Sequence, residues 1–457
     1  MSTTQDTTQP TRSPAEIERG FRAFLLIWMA QMIARIGNGL TAFGLGVHVY
    51  QETRSSTAVA VVTLAAFLPG LLLTPFAGVL ADRFDRRLLM ILGDTLSAVG
   101  LVLLLIAMST GYGSVPVICA CVALSSVFTS VMDPAYRATV SDLLTPEQYA
   151  RAGGMVQLAG ASQFLVSPAI AGVIMVASDI QTVIAIDLAT MVVTVGVMLL
   201  VWRTVPGRGR ASSHDDGVTT PTGFWEDFRF GVAFLARHRA VTAMMLLVTL
   251  VTFCMGFLQT LLTPMVLDLA DEEALGVVRS VAAVGMIVAS IAISVLGMGT
   301  RHRASMASAL AVGGVVVAGM GTTQNVLLIG GFAFIFFMTL PVLNTSVEVL
   351  VRSAIPNATQ GRVWGLVGLI SQLGYIAAYA VSGLLADYVF NPLLVPEGAL
   401  APTLGRVVGV GESRGIGLMF VIVGLLLVVM AVVIYRVKSI RTIESDFARL
   451  AAVSERH

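Results

Sequence analysis

Residues 57–108 read TAVAVVTLAAFLPGLLLTPFAGVLADRFDRRLLMILGDTLSAVGLVLLLIAM. Two apolar runs, 57–81 and 88–108, flank a charged turn that holds Asp82, Arg83, Asp85, Arg86 and Arg87. Each run has the length of about 20 residues that a helix needs to cross a bilayer. Neither alternates polar with apolar, so neither reads as a strand of a membrane barrel. Inside lipid every backbone N–H and C=O must be bonded within the segment, which leaves the helix as the form these runs can take.

The pattern repeats in both directions. Twelve apolar runs separated by short polar punctuation cover 23–50, 57–81, 88–108, 115–135, 153–177, 182–202, 241–265, 274–299, 304–322, 325–351, 364–386 and 415–435. They are numbered spans 1 to 12. Of 457 residues, 56% are apolar and 12% charged, the latter about half the share of a soluble protein. The mean hydropathy is +0.86. This composition excludes an ordinary soluble enzyme, a disordered chain and a disulfide scaffold. A net charge of +1 gives no global basicity for nucleic acid. The 44 glycines suit close helix contact in lipid. Cys119, Cys121 and Cys254 lie inside apolar runs without CxxC spacing and read as small core residues.

Arginine and lysine set the orientation. With the N-terminus inside, 23 of the 28 basic residues fall on cytoplasmic segments. Arg54, Arg279, Arg406 and Arg414 are counted outside, and Arg35 lies within span 1. The expected organisation is a cytoplasmic tail 1–22, a six-helix bundle 23–202, a cytoplasmic linker 203–240, a second six-helix bundle 241–435 and a cytoplasmic tail 436–457. Within the linker, GFWEDFRFGVAFLARHRA carries aromatic residues beside charges, the pattern of an amphipathic helix at the inner leaflet. The halves show weak internal similarity: LLTPEQYARAGG follows span 4 and AIPNATQGRVWG follows span 10, and GVLADRFDRR after span 2 corresponds to VLGMGTRHRA after span 8. Parallel six-helix repeats are one recurrent transporter architecture. Between spans 11 and 12, residues 387–414 form a long Pro- and Gly-rich segment, either a cap or a tolerated insertion.

The turn Gly78-Val-Leu-Ala-Asp82-Arg83-Phe-Asp85-Arg86-Arg87 resembles the signature G-x-L-a-D-r-x-G-r-[KR] of the major facilitator superfamily. Asp85 replaces the usual glycine. The resemblance implies an all-α membrane fold of twelve helices in two pseudo-symmetric bundles. It also implies a conformational latch of Gly78, Asp82, Arg83, Arg86 and Arg87, completed by an acid at the inner end of span 4, where Asp133 stands. Asp133 alternatively pairs with Arg137 at i+4. In span 5, Ser167-Pro168-Ala-Ile-Ala171-Gly172 is similar to the antiporter signature G-P-x-x-G-G of drug exporters, with small residues for two glycines. Ile27-Trp28-x-x-Gln31 and the IAIDL run ending at Leu188 resemble macrolide-efflux-type exporters, and siderophore exporters and lysophospholipid flippases are similar.

Charge inside a span is costly, so each such residue needs a reason. Arg35 has Gln31 and Asn38 on its helical face. It reads as a substrate contact, a counter-ion for a titrating acid, or half of a structural ion pair, with Asp94 or Asp187 as candidates to neutralise it. The proton-coupling candidates are Asp94, Asp133, Asp187 and Glu348, the last with Arg352 at i+4. The resemblance places the cavity between spans 1, 4, 7 and 10. It implies as lining Gln31, Arg35, Asn38, Phe253, Phe257, Gln259 and Asn344, with Gln372 and Tyr375 from span 11.

No phosphate-binding loop, catalytic constellation or metal-ligand cluster is present, so an enzyme, a cofactor and a metal site are not expected. The expectation is a secondary exporter of a bulky amphipathic small molecule. It would sit as a multi-pass monomer in the bacterial plasma membrane, with both termini cytoplasmic, and run on the proton gradient. The alternative is a lysophospholipid flippase or an uncoupled facilitator of the same fold, and a non-transporting sensor is a third reading.

Overall fold

The computed structural model describes residues 14–145, 148–204, 224–299, 301–354 and 360–436. Among these there is no strand. Twelve helices are long and apolar enough to cross a membrane. Spans 1 to 3 run Pro14–Thr53, Ser56–Arg83 and Arg86–Ser109. Span 4 comprises two helices, Val115–Thr129 and Met132–Leu143. Spans 5 and 6 run Tyr149–Ala177 and Ile180–Thr204, and a linker helix occupies Phe224–Arg237. Spans 7 to 12 run Arg239–Leu267, Glu272–Leu296, His302–Thr322, Val326–Ala354, Gln360–Leu385 and Arg414–Arg436. Linker residues 205–223 and the tails 1–13 and 437–457 lie outside the described residues.

Local chemistry sets the ends. Ser55 and Asp271 cap spans 2 and 8 by accepting amide bonds from Ala58 and Ala274. Asp85 caps span 3, accepting from the amides of Arg87 at 2.9 Å and Leu88 at 3.2 Å. Its φ of −62° needs no glycine, so the replacement of the signature glycine gives a helix start in place of a looser turn. Span 4, expected to be continuous over 115–135, breaks at Ser130–Val131 and resumes at Met132. Pro134 follows the break; its ring would clash with the carbonyl of residue 130 in an unbroken helix.

The two halves repeat the same contacts. Span 1 packs on span 5, span 2 on span 4, and span 3 on spans 4 and 6; span 7 packs on span 11, span 8 on span 10, and span 9 on spans 10 and 12. Small residues let backbones touch: a Cβ on Gly314 would press on Val428 and on the carbonyl of Gly424. Outward faces are apolar, with Val192, Val295 and Leu327 largely exposed to the surroundings. We call the face where span 1 begins and span 12 ends the proximal face, and the opposite one the distal face.

Arg414 and Arg279, both assigned to outer loops from the sequence, belong to helices. Arg414 opens span 12 and is 4% exposed. It donates to the carbonyls of Val408 at 2.7 Å and Gly321 at 3.0 Å, pinning the 387–413 segment to the end of span 9. That segment has its own small core of Leu394 and Val408 against Leu418. It is a folded element of the distal face. Arg279 lies inside span 8.

The halves join where span 5 crosses span 8 and span 2 crosses span 11. At the first crossing a Cβ on Gly172 would meet the Glu272 carbonyl at 2.8 Å and the Gly276 Cα at 3.4 Å. Gly172→Leu and Gly276→Leu are therefore expected to destabilise the protein by about 1–3 kcal/mol, the usual cost of overpacking. Gly46→Leu, where a Cβ meets open space, should leave the thermal unfolding midpoint of the detergent-solubilised protein nearly unchanged. Equal midpoints for all three variants would contradict the crossing.

Candidate functional site

At the distal face the halves are tied by polar bonds. Asp387, just beyond span 11, accepts from the Ser55 hydroxyl at 2.8 Å, the Ser56 amide at 3.1 Å and the Thr57 amide at 2.8 Å. A carboxylate from one half thus caps the first turn of span 2 in the other, where unpaired amides and the helix dipole favour negative charge. Arg54 pairs with Asp268 at 3.5 Å, and Gln51 bonds Glu272. Ser280 of span 8 donates to the Leu165 carbonyl of span 5 at 2.8 Å.

Below this seal sits a plug of larger side chains. The Arg279 guanidinium donates to Thr263 Oγ1 at 2.7 Å and to the Gln259 carbonyl at 3.3 Å, and lies 5.6 Å from the ring centroid of Phe43 in the other half. Tyr379 donates to Gln259 Oε1 at 2.5 Å. Phe67 of span 2 packs edge-on to Tyr379 at 5.6 Å and tilted to Tyr375 at 5.8 Å. Cation–π and aromatic contacts of this kind hold two surfaces together without a covalent or charge-paired tie.

Toward the proximal face the cavity wall opens. Arg35 Nη2 donates to Asp133 Oδ1 at 2.6 Å; their side chains are 23% and 60% exposed, so the pair faces open space rather than a dry core. The break in span 4 places Asp133 in the first turn of its second helix. Asn38 is half-buried beside the pair in sequence. In the C-terminal half, Thr252, Met255, Asn344 and Tyr375 line a cavity of about 100 Å³ together with Leu247 and Leu343. Asn344 is exposed, while Phe253 and Gln372 are half-buried.

Several sequence expectations are corrected by this geometry. Asp133 pairs with Arg35 and not with Arg86. Arg86 instead grips Asp142, one guanidinium nitrogen lying 2.8 Å from each carboxylate oxygen, and also donates to the Ala138 carbonyl at 3.3 Å. The second helix of span 4 carries Asp142 past the apolar run, nearer the basic turn than Asp133. Neither Asp94 nor Asp187 neutralises Arg35. Gln31 and Phe257 are each 4% exposed and are packed inside the bundle, not on the open wall. The side chains of Gly78, Asp82, Arg83 and Arg352 lie outside the described ones, so the Asp82 arm of the latch and the Glu348–Arg352 pair are not seen; Glu348 is exposed.

The span 5 motif is placed at both interfaces of that helix. Ser167 donates to the Ile36 carbonyl of span 1 at 2.9 Å. Ala171 is fully buried, and Gly172 is the crossing point with span 8. Residues missed from the sequence include Arg279, Tyr379, Asp142 and Asp387. Arg279 had a signal, since it falls within the apolar run 274–299 and should carry the same question as Arg35. Asp387 had none, because its partners lie more than 300 residues away.

Twelve helices in two six-helix repeats have the architecture of a membrane carrier. The model of the Major Facilitator Superfamily matches residues 27–379, and the chain belongs to that family. It is a multi-pass membrane transporter and not an enzyme. It is 25% identical over 379 residues to macrolide efflux protein A of Streptococcus pyogenes, covering 80% of this chain and 90% of that protein. It is 26% identical over 381 residues to the multidrug efflux pump Tap of Mycolicibacterium fortuitum, covering 79% and 89%. Among solved structures, a bacterial homologue of the human lysosomal transporter Spinster, in an inward-facing and unoccupied conformation, superposes with a TM-score of 0.71 at 14% identity. That match covers 95% of this chain and 99% of the other.

The Arg86–Asp142 pair is partly exposed, at 33% and 45%, so its loss should cost only about 0.2–1 kcal/mol. Arg86→Asp is expected to lower the unfolding midpoint slightly, and adding Asp142→Arg to restore it. A double variant no better than the single one would remove the pair from the account.

Proposed function

We propose that the protein is a secondary active exporter of bulky amphipathic small molecules, driven by proton antiport. It acts as a monomer in the bacterial plasma membrane with both termini in the cytoplasm. The observation that carries this reading is the cavity wall. The cavity of the C-terminal half has a mostly apolar, methionine-containing wall with a few amide and hydroxyl groups, and the exposed Arg35–Asp133 pair belongs to the N-terminal half. Such a wall buries a large apolar body and orients it with few polar contacts, which suits a macrolide-like or dye-like compound better than a sugar. The relatives named for macrolide and multidrug efflux support the same substrate class.

With the proximal face cytoplasmic, as the arginine distribution supports, the cavity opens inward and the distal seal faces outside. A substrate enters from the cytoplasm or inner leaflet and competes with Arg35 for Asp133, or with Asp133 for Arg35. The halves then rock, the distal crossings part, and release follows. Each proton moving inward supplies about 2.3 kcal/mol per 100 mV. No phosphate-binding loop offers another energy source.

Inside-out vesicles from a pump-deficient bacterium expressing the protein are expected to accumulate radiolabelled erythromycin when the interior is acidified. A protonophore should abolish the accumulation, and Arg35→Ala should reduce it at least tenfold, the factor that about 1.4 kcal/mol of lost interaction produces. Uptake unaffected by the protonophore would contradict antiport. Flipping of fluorescent lysophospholipid without erythromycin uptake would favour the lipid reading.

A further inference from the structure

Two carboxylates stand apart from the cavity, inside the N-terminal half. Asp94 of span 3 is 3% exposed and Asp187 of span 6 is 1% exposed. Spans 3 and 6 are packed together, and the two carboxylates lie within electrostatic reach of each other. Thr41 of span 1 donates to Asp187 Oδ2 at 2.6 Å, and Thr190 lies 3.5 Å from Oδ1. Asp94 Oδ2 is buried with no hydrogen-bond partner among the described residues.

Among the described residues no salt bridge reaches either carboxylate. On span 1, Arg35 is held by Asp133, and His48 sits in the fields of Glu52 and Asp179 at the distal end. Span 3 offers Arg86 and Arg87 at its proximal start, and span 4 offers Asp133, Tyr136, Arg137 and Asp142. On span 5, Arg151 lies over the Phe21 ring; on span 6, Arg203 is in the last turn. Among the described residues, the groups that act on the two carboxylates are each other, Thr41 and Thr190. Two neighbouring carboxylates without a counter-ion cannot both stay ionised in a helix bundle.

We propose that Asp94 and Asp187 together form a single proton-binding site, and that its occupancy is transmitted to the cavity through span 1. The proposal rests on the antiport reading above and names the site that reading needs. The contact is direct: a Cβ on Gly37 would overlap both Asp187 Oδ1 and Thr190 Oγ1, so the span 1 backbone lies against the carboxylate. One turn on, Thr41 bonds its other oxygen. A hydroxyl donates to a carboxylate and accepts from a carboxylic acid, so Thr41 follows either state. A Cβ on Gly39 would press on Ser167 Cβ at 2.7 Å and the Gln163 carbonyl at 2.8 Å. Span 1 is thereby wedged between Asp187 of span 6 and the Ser167–Gly172 motif of span 5, whose Gly172 makes the distal crossing. The same turn of span 1 carries Arg35 and Asn38 at the cavity. Loss of the shared proton puts two like charges side by side, and the adjustable neighbour is the span 1 backbone.

The test has two arms. The wild-type protein in membranes is treated at neutral pH with dicyclohexylcarbodiimide, which modifies protonated carboxyls in apolar surroundings, and its peptides are analysed by mass spectrometry. Modification at Asp94 or Asp187, decreasing as pH is raised, is expected; absence of modification at both would overturn the proposal. In the second arm, Asp94→Asn and Asp187→Asn are compared with wild type in proteoliposomes loaded with erythromycin. Each variant is expected to keep erythromycin exchange at equal pH but to lose the roughly 50-fold accumulation that one coupled proton supports at 100 mV. Variants that still accumulate erythromycin like wild type would overturn the proposal. Should a variant fail to fold, the labelling of the wild type decides. If the pair is modified but wild-type uptake ignores the gradient, the antiport reading fails and the proton site stands.

Discussion

The crossing of span 5 over span 8 at Gly172 and Gly276 is the constraint on which the arrangement of the halves depends. Backbones approach there as closely as in the interior of either bundle, yet the contact joins two separately packed units. Its pseudo-symmetric counterpart, span 2 on span 11, is built by different chemistry: a Cβ on Gly383 would overlap the Thr57 backbone, and Asp387 caps the adjoining helix end. Both crossings are close-fitting, and the second adds a carboxylate cap. Both sit on the distal face, so the cavity is closed there and opens at the other end.

Span 1 is the element that connects the separate parts. Within three turns it presents Arg35 to the cavity, Gly37 and Thr41 to Asp187, and the Ile36 carbonyl to Ser167. Further along, Phe43 meets the Arg279 guanidinium across the halves. A polar residue in lipid is costly unless it has a partner, and span 1 is the helix on which several of those partners meet. That density explains the glycines at Gly37 and Gly39. Larger side chains would hold spans 5 and 6 too far off for the hydrogen bonds to form.

Much of this was legible in the chain. Periodic apolar runs gave the spans, since lipid permits few alternatives, and the GVLADRFDRR turn with the proline-bearing motif of span 5 pointed to the superfamily. The site was legible only in part. Arg35, Asn344 and Tyr375 were singled out because polar side chains in apolar runs announce themselves. Their partners were harder to find: the resemblance offered Asp133 to the latch, and the i+4 spacing offered it to Arg137, whereas in the structure it pairs with Arg35 across the bundle. Asp142 was passed over as an ordinary acid beyond a span. Contacts such as Ser55–Asp387 depend on how two bundles meet, and no local pattern encodes that. The pairing of Asp94 with Asp187 is of the same kind: each was conspicuous alone, and only the packing of span 3 on span 6 joins them.

The central claim is that the two halves rock about the cavity so that one face opens as the other closes. Double electron–electron resonance on the reconstituted protein tests it most directly, with one spin-label pair on the distal ends of spans 5 and 8 and another on the proximal ends of spans 4 and 10. On changing pH or adding a transported compound, the account predicts opposite changes, the distal distance lengthening as the proximal one shortens. Distances that stay fixed, or that lengthen together, would contradict it.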